Sequence, residues 1–330
     1  MNNLIARIKS KIHATLFWQT SIGEALNKIY DLKIFYRYSF KNEKFKSKDS
    51  MRAFLTKQYH IVEKGLALPN PRKGFGIQKI NYLIKVSKHY VTQHGDDELI
   101  STVKNCLTEY LTFNKTNNVD METDYFYDIK DFIGNNTRKN TGGIYTISKK
   151  TLNQKTNIDF ESFVRSRFSV RDFDESDLSI EKIKLAVNIA KHAPSVCNRQ
   201  SWKAHVFTQK EQILKLLKLQ GGNNGFTENI NKLVIVTTNT KSFTIMESNQ
   251  VFIDGGIFSM NLVLAFHSLS IGACCLNTCF PYTKEKMVKK TAEIPENERL
   301  IMMIGIGNLK DTYKVAISNK KDLQEVIKIN

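Results

Sequence analysis

"RSRFSVRDF", residues 165–173, sets Arg165, Arg167, Ser169 and Arg171 at alternating positions. In an extended segment a period of two turns Arg167, Ser169 and Arg171 to one side, with Phe168 between them. There, two guanidinium forks and a hydroxyl can close on one phosphate. Taken alone, the same residues also fit a solvated, charged strand edge. Further along, "APSVCNRQSW" (residues 193–202) ends a helix on Ala193-Pro194, then offers Ser195, Asn198 and Gln200 as neutral donors and acceptors and Trp202 as an anchor. Near the C-terminus "ISNKKDLQEVI" (residues 317–327) adds the hydroxyl of Ser318 and the cation of Lys320. A phosphate clamp with amides able to bond the carbonyls and nitrogens of a heterocycle is what a phosphorylated aromatic cofactor requires. The spacing suggests flavin mononucleotide (FMN).

The chain around these stretches alternates helices and short strands. "DLSIEKIKLAVNIAKHA" carries Ile180, Ile183, Ala186, Val187 and Ala190 at helical spacing, begins at a capping Asp177 or Ser179, and is stopped by Pro194. "AHVF" and "KLVIVTT" read as strands, the second nearly continuous in apolar residues and so central in its sheet. An uncharged helix "GGIFSMNLVLAFHSL", a short "GACCL" segment, a helical "TKEKMVKKTAEI" and a strand "RLIMMIGIG" follow. This is an α+β domain of layered helices and sheet. Residues 255–283 contain no Asp, Glu, Lys or Arg. That is long enough for a membrane span, but Asn261, His267 and the Ser270-Ile271-Gly272 break argue for a buried core helix followed by a strand.

The N-terminal half reads differently. Leu4, Ile8, Ile12 and Leu16 recur every four residues in a basic, partly helical start. "ALPNPRKGFG" (67–76) marks a loop. "IQKINYLIKVSKHYVTQH" and "DDELISTVKNCLTEYLTFNK" are two amphipathic helices joined at Gly95, the second with acidic residues at its start. Residues 117–155, rich in Asn, Thr and Lys, read as an extended connector. The expected division is therefore a mainly helical basic region at 1–155 and a second domain at 156–330.

The 330 residues, 41% of them apolar, suffice for two ordinary domains. The formal charge is +17, with 26 basic against 15 acidic residues in 1–160 and 23 against 17 in the remainder. A basic half can attract an anionic polymer; solvated lysines give the same count with no partner, and nucleic acid is not the expected one. Tyr30, Phe35, Tyr36, Tyr38 and Phe40, interleaved with Lys33 and Arg37, read as core-packing aromatics, with polymer contact as the alternative. Five cysteines, three of them crowded at 274, 275 and 279, do not form the framework of a secreted disulfide protein and point to a reducing, cytoplasmic compartment. The start "MNNLIARIKSKIHATLFWQTS" lacks the apolar run of a signal peptide. "GGNNG" and "GIGN" are neither a Walker loop nor a complete dinucleotide fingerprint, and the cysteine spacing with His267 lacks the pairing of a zinc site.

The order R-x-S-x-R-x-F (Arg167 to Phe173), A-P-S-x-x-N-x-Q-x-W (Ala193 to Trp202), a central strand at 233–238, N-L-x-L-A (Asn261 to Ala265), Leu269-Ser270-Ile271-Gly272 and a closing Ile304-Gly305 strand resembles the nitroreductase family over residues 158–327. The resemblance implies a mixed β-sheet flanked by helices and an intertwined homodimer with FMN at each of two sites on the subunit interface. It implies that Arg167, Phe168, Ser169 and Arg171 contact the FMN phosphate and ribityl chain, and that Lys320 and Ser318 close on the phosphate. Pro194, Ser195, Asn198 and Gln200 would reach the flavin of the other subunit. Thr278, Cys279 and Phe280 would meet the flavin N5 and edge, with Asn224 or Asn223 as an additional contact. Gln200-Ser201-Trp202 stands where the family has Q-P-W, and the cysteines near the flavin edge are a second departure, so the resemblance leaves substrate choice open.

The implied activity is an NAD(P)H oxidoreductase passing hydride through flavin N5 to an oxidised small-molecule acceptor, nitroaromatic or quinone-like. No side-chain acid, base or metal is assigned. One alternative is a flavin-dependent dehydrogenase or dehalogenase of one specific metabolite; another is a flavin-fold scaffold carrying an anionic-polymer-binding N-terminal module.

Overall fold

The computed structural model describes Phe17, Trp18, residues 20–40, Phe45, residues 47–134 and residues 141–330. The stripe Leu4, Ile8, Ile12, Leu16 lies outside the described residues. The first described helix, α1 (Ser21–Tyr38), starts where the Thr20 hydroxyl accepts the Gly23 N–H at 3.1 Å. Helices α2 (Lys48–Leu66), α3 (Ile77–His94), α4 (Glu98–Thr116) and α5 (Asp124–Ile133) follow. Ser47 and Ser50 form a reciprocal capping box on α2, and the Asp97 carboxylate caps α4 by accepting the Leu99 N–H at 3.0 Å. Gly95 joins α3 to α4 at φ +79°, a conformation that favours glycine.

Helices α2 to α5 enclose one apolar cluster, with Leu55, Ile80, Leu83, Ile100, Leu107 and Ile129 at its centre. The stretch expected to be a connector contributes two helices, α5 and α6 (Lys149–Thr156). The reason is a narrow stripe: Phe126, Ile129 and Phe132 recur every third residue and are buried, while the acidic residues and lysine between them stay exposed. Tyr125 and Ile133 flank these three and pack against the same cluster.

After α7 (Phe160–Arg165) and α8 (Ile180–Ala190) comes a four-stranded sheet of order β1-β2-β4-β3, built from β1 (Trp202–Phe207), β2 (Lys232–Asn239), β3 (Ile271–Leu276) and β4 (Glu298–Asn308). Every pairing is antiparallel. Helices α9 (Lys210–Gln220) and α11 (Tyr282–Thr291) cover one face, and α8 with α10 (Gln250–Ser268) the other. Alternate residues of β2 serve the two layers, Leu233 and Ile235 one and Val234 and Val236 the other, so the strand is apolar throughout. Helix α10 is long and apolar enough to cross a membrane by length and composition, but it lies against α8 and the sheet, with Phe258, Leu262 and Phe266 in the core. The short α12 (Leu323–Val326) lies in an exposed tail.

Helix α1 packs on the sheet domain. Tyr30 stacks on Tyr282 with ring centres 5.1 Å apart, Asp31 pairs with Arg299 at 2.6 Å, and Asn27 Oδ1 accepts the Tyr282 N–H at 2.9 Å. At its end Phe40 exchanges backbone bonds with Phe243 and Ile245. Tyr30, Phe35 and Phe40 are buried, and the Tyr38 hydroxyl bonds Glu296, so these four aromatics are used in packing.

Candidate functional site

The segment 167–173 runs beside β3. The Val170 N–H donates to Ala273 O at 3.0 Å, Asp174 N–H to Asn308 O at 2.9 Å, and Phe173 bridges Leu309. Phe173 lies over Gly272 and Gly307, which face each other across β3 and β4; a Cβ on Gly307 would come within 2.9 Å of Phe173 Cβ. The two glycines thus form the flat seat that fixes the segment. Val170 is buried, Ser169 and Arg167 are half-buried, and Arg171 and Phe168 are exposed. Arg171 sits over the Phe226 ring at 6.0 Å. Among the described residues neither Arg167 nor Arg171 has an ion-pair partner, whereas the next acid, Asp172, is held by Lys310 at 2.6 Å. Both arginines face β3 cysteines. Burial raises the Cys274 thiol and Arg171 opposes it; at Cys275, which keeps some exposed surface, desolvation and Cys274 push the thiol up to about 11 against the pull of Arg167. These arginines are therefore cations with spare bonding capacity, suited to an oxyanion.

The loop 193–200 is held in an uncommon backbone. Cys197, Asn198 and Gln200 have φ of +49°, +53° and +47°, a region that costs a non-glycine residue about 1–2 kcal/mol. Its foundations are two buried charges. Arg199, with its side chain 0% exposed, makes a bidentate pair with Glu247 at 2.7 and 2.8 Å and donates to Ser242 O and Val196 O. Asp254, fully buried on α10, accepts the Val196 N–H and the Gln250 amide. Burial pushes the Glu247 carboxyl up, but Arg199 and the Thr244 N–H outweigh it and hold the group low. At Asp254 burial wins and the carboxyl is raised. On this base Pro194 and Gln200 are exposed, Ser195 Oγ accepts the Gln200 N–H at 2.9 Å, and Asn198 Oδ1 accepts from the Gln200 amide at 3.1 Å, with Tyr59 of α2 nearby.

Thr278, Cys279 and Phe280 line a cleft of about 1110 Å³, together with Trp18, Tyr282 and Arg299. Thr278 Oγ1 donates to Ile301 O at 3.0 Å, Cys279 N–H to Asn277 Oδ1 at 3.2 Å, and Lys284 sits over the Phe280 ring. Gln220 Nε2 bonds Asn277 O, which ties this segment to the 220–225 turn. There Asn223 is buried and spent on the turn, bonding Leu217 O, Gln220 and Thr227, while Asn224 is exposed and available. Ser318 and Lys320 are exposed, joined to each other by a Lys320 Nζ bond to Ser318 O at 2.6 Å. Among the described residues no hydrogen bond or ion pair connects the tail or the 193–200 loop to Arg167, Ser169 or Arg171.

Sequence reasoning missed Arg199, Glu247, Asp254 and Tyr59, which shape the loop. Asp254 alone carried a signal, as the last charge before the uncharged stretch 255–283. The others are ordinary charged or aromatic residues of helices and turns until the fold brings them together.

Residues 164–239 match the model of the nitroreductase family. No curated protein matches the chain. Among solved structures, an FMN-dependent nitroreductase from Clostridium difficile R20291 is 20% identical over 51% of this chain and 98% of its own, with a TM-score of 0.44. A nitroreductase-like protein from Streptococcus mutans is 19% identical over 52% and 98%, TM-score 0.46. A nitroreductase with bound FMN from Desulfitobacterium hafniense DCB-2 is 19% identical over 52% and 97%, TM-score 0.42.

Proposed function

We propose that this protein is an FMN-dependent oxidoreductase that moves hydride from NAD(P)H to an oxidised small-molecule acceptor of nitroaromatic or quinone type, working as a cytoplasmic homodimer. The observation that carries the reading is the pair Arg167 and Arg171, with no ion-pair partner among the described residues and flanking Ser169, inside the segment that matches the nitroreductase family. The donor set fits the cofactor. A phosphate monoester brings about 1.5 to 2 negative charges, and two guanidinium forks with a hydroxyl balance that charge and satisfy its oxygens.

Arg167, Ser169 and Arg171 hold the phosphate end, with Phe168 beside the ribityl chain and Ser318 and Lys320 closing from the tail. Asn224, Thr278, Cys279 and Phe280 meet the ring edge. Pro194, Ser195, Asn198 and Gln200 of a second copy supply the floor. FMN, when bound, supplies the two-electron redox chemistry. The chain contributes binding, orientation and the cationic charge that balances the phosphate. Residues 156–330 form the flavin-binding unit in this reading, and 1–155 a separate helical region. The reading of the N-terminal half as a polymer-binding module loses most of its aromatic contacts, because Tyr30, Phe35, Tyr38 and Phe40 are engaged in packing or hydrogen bonds.

The visible spectrum of the purified protein, followed by chromatography of any released chromophore, tests the proposal. Stoichiometric FMN is expected, and its loss in the double variant Arg167→Ala, Arg171→Ala. Protein that is colourless and takes up no added FMN, or a double variant that keeps its FMN, overturns it.

A further inference from the structure

A second cleft, about 440 Å³, opens between the helical N-terminal cluster and the 193–200 loop, a volume in the range of small-molecule sites. One wall is a single face of α2: Asp49, Arg52, Thr56 and Tyr59, spaced three, four and three residues apart. Glu98 and Thr102, in the first turns of α4, form the second wall, and Asn198 and Gln200 the third. Tyr59 and Asn198 both line this cleft, so the helical cluster borders the very loop that the flavin reading assigns as the floor of the cofactor site.

The charges sort unevenly. Arg52 is engaged by Asp97 at 2.6 Å and by the Tyr90 hydroxyl, and Arg199 by Glu247. Asp49 is met by Lys241 at 3.6 Å and by Asn239. Glu98 has no ion-pair partner among the described residues. The positive end of α4 is already answered by the capping Asp97. What remains facing the space is the Glu98 carboxylate, the lone pairs of Thr102 Oγ1, whose proton is given to Glu98 O, the hydroxyls of Thr56 and Tyr59, and the Gln200 amide oxygen, its nitrogen being spent on Asn198.

We propose that this cleft is the subsite for the polar part of the electron acceptor, and that it takes a hydroxyl-, amide- or ammonium-bearing group in preference to a carboxylate or phosphate. The inference rests on the flavin reading for its role beside the cofactor, and on the cleft's own side chains for its selectivity. Hydrogen-bond donors on the ligand find Glu98 and the amide and hydroxyl oxygens, while an anion meets an uncompensated carboxylate.

Three nitrobenzenes that differ only at the para position test it: 4-nitrobenzylammonium, 4-nitrobenzyl alcohol and 4-nitrobenzoate. Equilibrium dialysis against the full chain, without reductant, gives Kd for each; rates of NADH oxidation give kcat/KM, and absorbance gives FMN content. The wild type is expected to prefer the ammonium over the carboxylate, and Glu98→Gln, on an exposed position, to narrow that preference about fivefold, the effect of one solvated charge contact. Thr102→Val is expected to weaken the alcohol and ammonium with FMN content unchanged. Equal binding of all three probes, or a preference for 4-nitrobenzoate, overturns the proposal, as does a preference unaltered in both variants. Protein without FMN that keeps the dialysis preference leaves a binding site and overturns its role beside the flavin, which separates failure of this inference from failure of the flavin reading.

Discussion

Arg199 is a guanidinium with no exposed side-chain surface whose bonds hold three separate pieces of chain: Glu247, the Ser242 carbonyl and the Val196 carbonyl. Removing one partner of such a buried pair leaves the other charged and desolvated, at a cost of about 3–5 kcal/mol. Arg199→Ala is therefore expected to lower stability by about 3 kcal/mol in urea unfolding, and Arg199→Lys to recover only part, because an ammonium cannot make the two-pronged contact. The same pair gives an acid dependence. Glu247 is held below its ordinary value, so its contribution is complete above the ordinary carboxylate range and is lost as pH falls through the depressed value. In Glu247→Gln the acid arm of the stability curve should flatten; an unchanged arm refutes the assignment. At Cys197, φ +49° is tolerable for a small side chain and severe for a branched one. Cys197→Val should cost about 1–2 kcal/mol more than Cys197→Gly, read by thermal unfolding. Of this site the sequence showed Pro194, Ser195, Asn198 and Gln200 as polar loop residues, since residue type and a stopped helix are local facts. Arg199 was hidden, because its role depends on a carboxylate 48 positions away.

The segment 167–173 is positioned by contacts rather than by a ladder. Phe173 fills the space over Gly272 and Gly307, and a Cβ at Gly307 would sit 2.9 Å from three Phe173 atoms, including its Cβ, which cannot swing aside without moving the backbone. Gly307→Ala is expected to cost about 1–3 kcal/mol as an overpacking change and to shift Arg171 with Phe173, so that FMN affinity falls together with stability. Gly256→Ala, inside α10 where the added Cβ meets nothing within 4 Å of its own chain, is the contrast: helix propensity should raise stability by about 0.5–1 kcal/mol rather than lower it. Elements with a strong period were legible in the sequence: β2 because both its faces are covered, and α3 and α4 because their stripes span whole helices. Helix α5 was not read, although Phe126, Ile129 and Phe132 with Tyr125 and Ile133 beside them make a clear helical stripe, because ten residues of it sit inside a stretch whose composition is otherwise polar. The seat under Phe173 was equally silent, because glycines at 272 and 307 become neighbours only through the pairing of β3 with β4.

At the scale of the molecule, exposed apolar side chains lie on α1 and in residues 144–160 as well as on the sheet domain and its tail, and those of α8 and α10 share one side of the sheet. Ile253, Ile257 and Met260 of α10 are 49%, 39% and 47% exposed, Leu185 and Ile189 of α8 47% and 40%, and Ile317 of the tail 85%. Contiguous apolar patches larger than a few hundred Å² mark interaction surfaces, and a second copy of the chain covers this one in the proposed dimer. The proposed dimer fits the separation of the candidate cofactor groups: the Arg167–Arg171 segment and the 193–200 loop share no hydrogen bond or ion pair within one chain, and in that proposal they serve different subunits' sites. The measurable consequence couples assembly to cofactor. Light scattering should give twice the 38.0 kDa chain mass, and a charge placed in the face, Ile253→Glu with Ile257→Glu, should yield monomers. Burying an unpaired carboxylate costs several kcal/mol at an interface while leaving the monomer, where these positions are solvated, folded by circular dichroism. If the floor belongs to the partner, as proposed, those monomers should lose FMN although Arg167, Ser169 and Arg171 are intact. A monomeric variant that still holds stoichiometric FMN would place the whole site within one chain and refute the shared-interface arrangement.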